Sequence, residues 1–334
     1  MRPSTLEKTL KTFVALRRPC LIEGPPGGGK TQTIQAVARE IYADPRSFIL
    51  FHAPTMQPED WAMPTANADK TKINFLVNSR FPVVGSDHPD EGIILIDEAP
   101  QAENSIQKSI ANLIQEREVY GQKLKPGWVI FMTGNRAADR AGANRILSHL
   151  RNRVTTIEFE GHLDDWCNWA LDHGVRTEII AFLRFKPNNM HDFDPNRDIN
   201  PTPRAWAEGV SPIIDKVPME AEFECIKGAV GEGAAAEFSA FLKIFRALPN
   251  PDVVLMNPDK HEVPTEASVR YALAGALAQR ASVDNFDAVM KFMGRMPAEF
   301  CVLTVLDSIR RLPDIQSTKA FITWAAGPGA KILI

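Results

Sequence analysis

Along the 334 residues, hydrophobic and polar positions follow two rhythms that change about halfway. In the first half, short apolar runs alternate with stretches in which apolar residues recur every three or four positions. Cys20-Leu21-Ile22-Glu23, Gly92-Ile93-Ile94-Leu95-Ile96 and Val129-Ile130-Phe131-Met132 are the runs. Unbroken apolar runs of this length suit strands covered on both faces of a parallel sheet. Ile34, Val37, Ala38 and Ile41 keep the i, i+3, i+4, i+7 spacing of an amphipathic helix over 32–41. Val119 to Leu124, with Gly121 near its centre, reads as a β-hairpin. In the second half helical spacing takes over. Leu163, Trp166, Cys167, Ala170, Ile179, Ile180 and Leu183 mark 161–183, and Val269, Leu273 and Leu277 mark 265–277. The same mode continues over 287–293 and 300–312, and Trp324 to Gly329 ends the last helix. The pattern predicts an α/β domain over residues 1–160 and an all-α region after it.

Composition narrows the class. Hydrophobic residues are 44% and charged residues 24%, the balance of a folded globular chain, and the length suits about two domains. The longest aliphatic stretch, Ile93 to Ile96, is far below the roughly 20 residues that cross a bilayer. The opening MRPSTLEKTLKTF has no apolar core and cleavage site, so no secretory signal is expected. Cys20, Cys167, Cys225 and Cys301 lie far apart without a CxxC pair, as reduced thiols of a cytoplasmic protein do. The 7 histidines show no metal-ligand spacing. Net charge is −3, unevenly spread. Residues 1–160 carry 20 Lys+Arg against 18 Asp+Glu, and 161–334 carry 18 against 23. That argues against charge-driven nucleic-acid binding over the whole surface but leaves room for a local basic channel.

The chemistry sits where the strand runs end. Cys20–Glu23 leads directly into Gly24-Pro25-Pro26-Gly27-Gly28-Gly29-Lys30-Thr31, which fits G-x-x-x-x-G-K-[ST] in the order strand, glycine loop, helix. Glycines let backbone N–H groups close around phosphate oxygens, and the helix N-terminus adds partial positive charge. In such a loop Lys30 reaches the β- and γ-phosphates and Thr31 ligates Mg²⁺. A second strand run ends in Asp97-Glu98. Asp97 is placed to hold the Mg²⁺ shell and Glu98 to polarise the attacking water. With no N-K-x-D motif downstream, ATP rather than GTP is the expected nucleotide.

With these residues the chain resembles the AAA+ ATPases, and among them the MoxR-like group, over about residues 1–210. The resemblance rests on GPPGGGKT, ILIDEAP, Ile114-Gln115-Glu116-Arg117, Met132-Thr133-Gly134-Asn135, Leu150-Arg151-Asn152-Arg153 and Thr202-Pro203-Arg204-Ala205-Trp206. It implies an AAA+ core over 1–160, a helical lid over 161–248 and a C-terminal helical extension over 249–334. It implies that Asn135 is the sensor-1 residue orienting the lytic water. Arg153 is similar to the arginine finger that enters a neighbouring subunit's site, with Arg151 as the alternative, because Val154 stands where an aromatic is usual. Arg204 resembles sensor 2, acting in cis or in trans. Residues 51–82 look like the family's insertion, in which Trp61 and Met63 serve either a substrate or the local core. The 119–124 hairpin resembles the one preceding sensor 1, with Lys123 and Lys125 either directed to a pore or on a solvated turn. Arg136, Arg140, Arg145, Arg151 and Arg153 crowd one stretch, as at an interface meeting a neighbour's triphosphate. The implied function is ATP hydrolysis by a homo-oligomeric ring, a hexamer in the family's usual form, that remodels or assembles a protein client. A separate partner with a von Willebrand factor A domain accompanies many such proteins. The alternatives are an AAA+ nucleic-acid motor or restriction-type ATPase and a nucleotide-gated scaffold with little turnover. The intact Lys30, Asp97, Glu98 and Asn135 argue against the scaffold, and the acidic second half argues against the motor.

Overall fold

Alternation along the strands accounts for the sheet. In β5 (Glu91–Asp97), Ile93 and Leu95 lie in one core while Ile94 and Ile96 lie in another, because successive side chains of a strand face opposite ways. The same division runs through β1 (Cys20–Glu23), where Cys20 and Ile22 oppose Leu21. It recurs in β8 (Gly127–Gly134), where Val129 and Phe131 oppose Ile130 and Met132. One face receives Leu6 and Leu10 of α1 (Pro3–Ala15) with Ile34, Val37 and Ala38 of α2 (Lys30–Ile41). The other receives Ile106, Ile110 and Leu113 of α3 (Asn104–Glu116). Two covered faces explain why these strands carry no polar alternation.

The computed structural model describes residues 1–136, 146–194 and 196–331. The chain divides into two compact units, the first comprising 1–162 with 193–196 and the second 163–192 with the chain from 197 onward. In the first unit, five parallel strands run in the order β2-β5-β8-β1-β9, with β2 spanning Phe48–His52 and β9 Thr155–Glu158. After β1 the chain crosses to β2 at the far edge, and β1's own neighbours arrive last. The C-terminal end of β1 therefore opens a crevice of the kind in which open α/β sheets bind ligands. This is the parallel sheet with flanking helices of a P-loop NTPase core, as expected.

Two hairpins project from this unit. β3 (Ala62–Ala66) pairs antiparallel with β4 (Ile73–Val77) inside the 51–82 insertion. β6 (Glu118–Val119) pairs with β7 (Gln122–Lys123) through Tyr120 and Gly121, at φ 45° and 85°. Positive φ at both turn residues is what a two-residue type I′ hairpin requires. The Val84 amide donates to the Lys123 carbonyl at 2.8 Å, and the Phe75 and Tyr120 rings lie 4.5 Å apart, tying the insertion to the second hairpin.

The second unit is helical. The patterned stretch 161–183 resolves into α5 (Leu163–Asp172) and α6 (Thr177–Phe185), separated at Gly174, whose φ is 68°. A π-helical turn at Ala205–Val210 follows, then α7 (Met219–Val230), α8 (Glu232–Arg246) and α9 (Pro251–Met256). The last four helices are α10 (Ala267–Arg280), α11 (Phe286–Met293), α12 (Ala298–Arg311) and α13 (Lys319–Ala326). Phe182, Trp206 and Phe238 centre one core, and Phe286, Phe292 and Phe300 another. α10 gives Ala272 to the first and Leu273 and Leu277 to the second. Arg184 on α6 also makes a bidentate pair with Asp307 on α12, at 2.5 and 2.8 Å. Residues on both sides of 248 thus belong to one unit. Among the described residues no helix is long and apolar enough to cross a membrane. The Ile332-Leu333-Ile334 tail, Pro195, Arg140 and Arg145 lie outside the described residues.

Candidate nucleotide site

Glycine chemistry sets the path of the loop leaving β1. Gly27 and Gly29 adopt φ of 70° and 95°, where an L side chain is strained. A Cβ on Gly24 would stand 2.7 Å from the Phe159 carbonyl oxygen, so that position has no room for one. The turn at Gly29 caps α2, which begins at Lys30 with its partial positive charge directed at the loop.

Lys30 is only 8% exposed, which for an ammonium group demands partners. Its Nζ donates to the Gly24 and Pro25 carbonyls at 2.8 Å each and to Asn135 Oδ1 at 3.2 Å. The loop lysine and the residue after β8 are therefore in direct contact. Thr31 Oγ1 donates to Asp97 Oδ1 at 2.9 Å, and the Thr133 hydroxyl donates to the same oxygen. Thr133 Oγ1 also accepts from the Glu98 amide at 3.1 Å. Glu98 itself is exposed and has φ 56°, a left-handed conformation costing an ordinary residue about 1–2 kcal/mol. Its amide bond to Thr133 holds it there. His52, opposite Asp97 in the β2–β5 register, brings Nδ1 to 3.7 Å from Asp97 Oδ2.

A threonine hydroxyl and a carboxylate converging within hydrogen-bond distance form a hard-oxygen donor pair. That pair fits Mg²⁺, which keeps waters and phosphate oxygens for its remaining positions. Among the described residues no group of three or more His, Cys, Asp or Glu gathers as an all-protein metal cage.

Residues 20–159 match the AAA family, the ATPase family associated with various cellular activities. No curated protein sequence matches the chain. Among solved structures, NtrX from Brucella abortus is 13% identical with a TM-score of 0.41, covering 94% of this chain and 67% of that one. A putative ATPase from Cytophaga hutchinsonii is 13% identical with a TM-score of 0.34, covering 90% and 79%. Hsp104, in a closed-state reconstruction with ATPγS and FITC casein, is 12% identical with a TM-score of 0.35, covering 72% and 42%.

The arginines singled out by the sequence differ in what they touch. Arg136 reaches Glu158 Oε1 at 3.2 Å, and Arg151 reaches Glu23 Oε1 at 2.5 Å. Arg153 is exposed and donates to the His149 carbonyl at 2.9 Å. Arg204 belongs to the second unit, exposed at the helical turn that Thr202 opens by accepting from the Ala205 amide at 3.1 Å.

The hairpin lysines divide likewise. Lys123 is exposed and pairs with Glu118 at 2.8 Å. Lys125 does not project outward. It lies largely buried, bonded to the His88 carbonyl and 3.2 Å from Asp90, because its backbone is drawn against Pro82. In the insertion, Trp61 is 3% exposed and stacks on Phe81, so it is core, whereas Met63 is 56% exposed.

Three participants escape a reading of the sequence: Thr133, Glu23 and His52. Thr133 and His52 are placed by strand adjacency, and Glu23 is met by Arg151 at the end of the helical turn Ser148–Arg151. β5 and β8 pair Ile96 with Met132, so the residue after Met132 must flank Asp97. That register is not written in either segment alone.

Proposed function

We propose that this protein is an ATP-hydrolysing AAA+ ATPase of the MoxR-like kind, working as a homo-oligomeric ring on a protein client. The observation that carries the reading is the bonded constellation Lys30–Asn135 and Thr31–Asp97–Thr133–Glu98 at the C-terminal edge of the sheet. Lys30 now rests on two carbonyls. Exchanging them for anionic phosphate oxygens gives stronger, charge-assisted bonds. Thr31 and Asp97 would hold a Mg²⁺ ion, which when bound would supply charge neutralisation for the phosphates. Glu98, exposed and fixed in its turn, accepts a proton as water oxygen bonds to the γ-phosphorus. The β–γ bridging P–O bond breaks with its electron pair leaving on ADP. Asn135, in contact with Lys30, orients the water.

Arg153 completes the site from the neighbouring subunit. What supports this choice over Arg151 is that Arg151 is held by the Glu23 carboxylate of its own chain, whereas Arg153, exposed like it, donates to a backbone carbonyl. Arg204 serves as sensor 2, in cis or in trans. The client meets the insertion and the neighbouring hairpin, which expose Met63 with Leu76 on one face of β3–β4 and Ile73 with Phe75, beside Tyr120, on the other. A von Willebrand factor A partner would be a separate chain.

The reading is tested by two variants. Lys30→Ala abolishes ATP binding measured by calorimetry. Glu98→Gln retains binding and loses about 100-fold or more in kcat, the ordinary contribution of a general base. A Glu98→Gln variant turning over at the wild-type rate contradicts the assignment.

A further inference from the structure

Glu23 is the last residue of β1, directly before the phosphate loop, and its carboxylate is only 14% exposed. A carboxylate at that place opposes a triphosphate unless it is neutralised, and Arg151 neutralises it at 2.5 Å. Arg151 ends α4 (Ser148–Arg151), and Arg153 follows two residues on, its amide bonded to the Leu150 carbonyl at 3.1 Å. The same segment is fastened again further along. The Phe159 amide donates to the Glu23 carbonyl at 2.7 Å, and the Phe159 ring packs against Gly24 and Gly28. The stretch 148–159 is thus anchored to the root of the loop at both ends, by the Glu23 side chain and by the Glu23 backbone. Meanwhile Lys30 occupies the carbonyls of Gly24 and Pro25, the next two residues. A phosphate that drew the ammonium away would release those carbonyls beside Glu23, and its negative charge would compete with the carboxylate for the Arg151 guanidinium.

We propose that the Glu23–Arg151 ion pair is a positioning device that ties the Arg153 finger to the nucleotide state of the subunit carrying it. The inference rests on the finger reading above. In it, Arg151 and Glu23 touch no neighbour's nucleotide and act only through Arg153.

Two measurements test this. Glu23→Gln and Arg151→Gln each lower kcat about tenfold, the scale of an ordinary site-to-site coupling, with ATP Kd changed less than about threefold. The double variant falls no further than either single one, since the partners act as one unit. Arg151→Lys, which keeps the charge, retains most of the turnover. In an Arg153→Ala background, adding Glu23→Gln changes the residual rate less than about twofold. Independently of turnover, ADP alters hydrogen–deuterium exchange of the amides of 150–153 in the wild type and not in Glu23→Gln, although both bind ADP.

Equal losses of kcat and ATP binding, multiplicative losses in the double variant, or the same exchange response in Glu23→Gln would each overturn the coupling. If Arg153→Ala turns over at the wild-type rate, the finger reading fails and the coupling fails with it. If Arg153→Ala is inactive while Glu23→Gln keeps wild-type kcat, the coupling alone is wrong.

Discussion

Single side chains divide into those that meet the nucleotide and those that hold them. Thr133 is of the second kind. Its one hydroxyl serves both Asp97 and the amide of strained Glu98, so it fixes two carboxylates with one group. Thr133→Val keeps the shape and removes both bonds. We expect kcat to fall about 10-fold to 100-fold while ATP affinity changes little, because the loss is felt where Glu98 must be aligned. Steady-state kinetics beside calorimetric binding checks it, and a selective loss of binding would contradict it. The cysteines permit a simpler test. Burial pushes the Cys167 thiol up to about 11 and raises Cys20 and Cys301 as well, while Cys225 is exposed. A thiol is nucleophilic only as thiolate. A chromogenic disulfide at pH 8 should therefore titrate one thiol in the native protein and four after unfolding.

Elements are joined by a small number of charged contacts whose removal has calculable direction. Arg184 and Asp307 are 12% and 9% exposed and bond each other twice, fixing α6 to α12. Arg184→Met leaves a buried carboxylate without its partner and should cost about 3–5 kcal/mol in denaturant unfolding. Arg184→Met with Asp307→Leu should recover most of that. A surface-like loss below about 1 kcal/mol would show the pair to be solvated. Between α7, α8 and the 211–217 segment, Arg246 binds Glu222 through both nitrogens and also Asp215, which Arg176 bonds from its other side. Hydrogen bonds from Arg246 hold the Glu222 carboxyl below its usual range. Asp215 is partly desolvated, which works the other way, yet its bonds from Arg246 and Arg176 leave it lowered too. Depressed carboxylates stabilise the fold above their unfolded pKa of about 4, and that stabilisation is lost as pH falls through the folded values. Arg246→Met should therefore melt lower than wild type at pH 7, with the gap closing as pH drops toward 2. A gap independent of pH would contradict the ion-pair account.

How far these elements can be read from sequence follows from the range of the forces behind them. The aliphatic runs of β1, β5 and β8 announce themselves because a strand buried on both faces needs them. Glycines at 27 and 29 and the lysine at 30 announce the loop, since only that chemistry closes on phosphate. The β3–β4 hairpin was not legible. Its strand Ala62-Met63-Pro64-Thr65-Ala66 has weak β-propensity and is held by pairing with 73–77 and by Trp61 packing on Phe81. The break between α5 and α6 was blurred because apolar spacing persists across Gly174. Thr133 and His52 become visible only when strand register sets them beside their partners, and Glu23 only when the 148–151 turn brings Arg151 to it.

At the scale of the molecule, the proposed ATP site gathers Lys30, Thr31, Asp97, Glu98 and Asn135 from one chain, while exposed Arg153 donates to the His149 carbonyl. Its net charge of −3 does not drive it to nucleic acid, and the hairpin lysines are paired within their own subunit. On the proposed reading a second copy supplies the finger cation, through head-to-tail contacts that close into a ring. That reading turns on a site shared between neighbours. Subunits carrying Arg153→Ala have an intact Glu98, and subunits carrying Glu98→Gln have an intact Arg153. Each pure preparation should hydrolyse ATP at least about 100-fold more slowly than wild type. The decisive measurement is the ATPase rate of the two variants co-assembled in equal amounts, with mixed assemblies verified by differently tagged subunits. We predict turnover well above either pure variant, because some interfaces then join the intact halves. Mixed assemblies that stay as inactive as their components, or an Arg153→Ala variant that hydrolyses at the wild-type rate alone, would contradict a shared site.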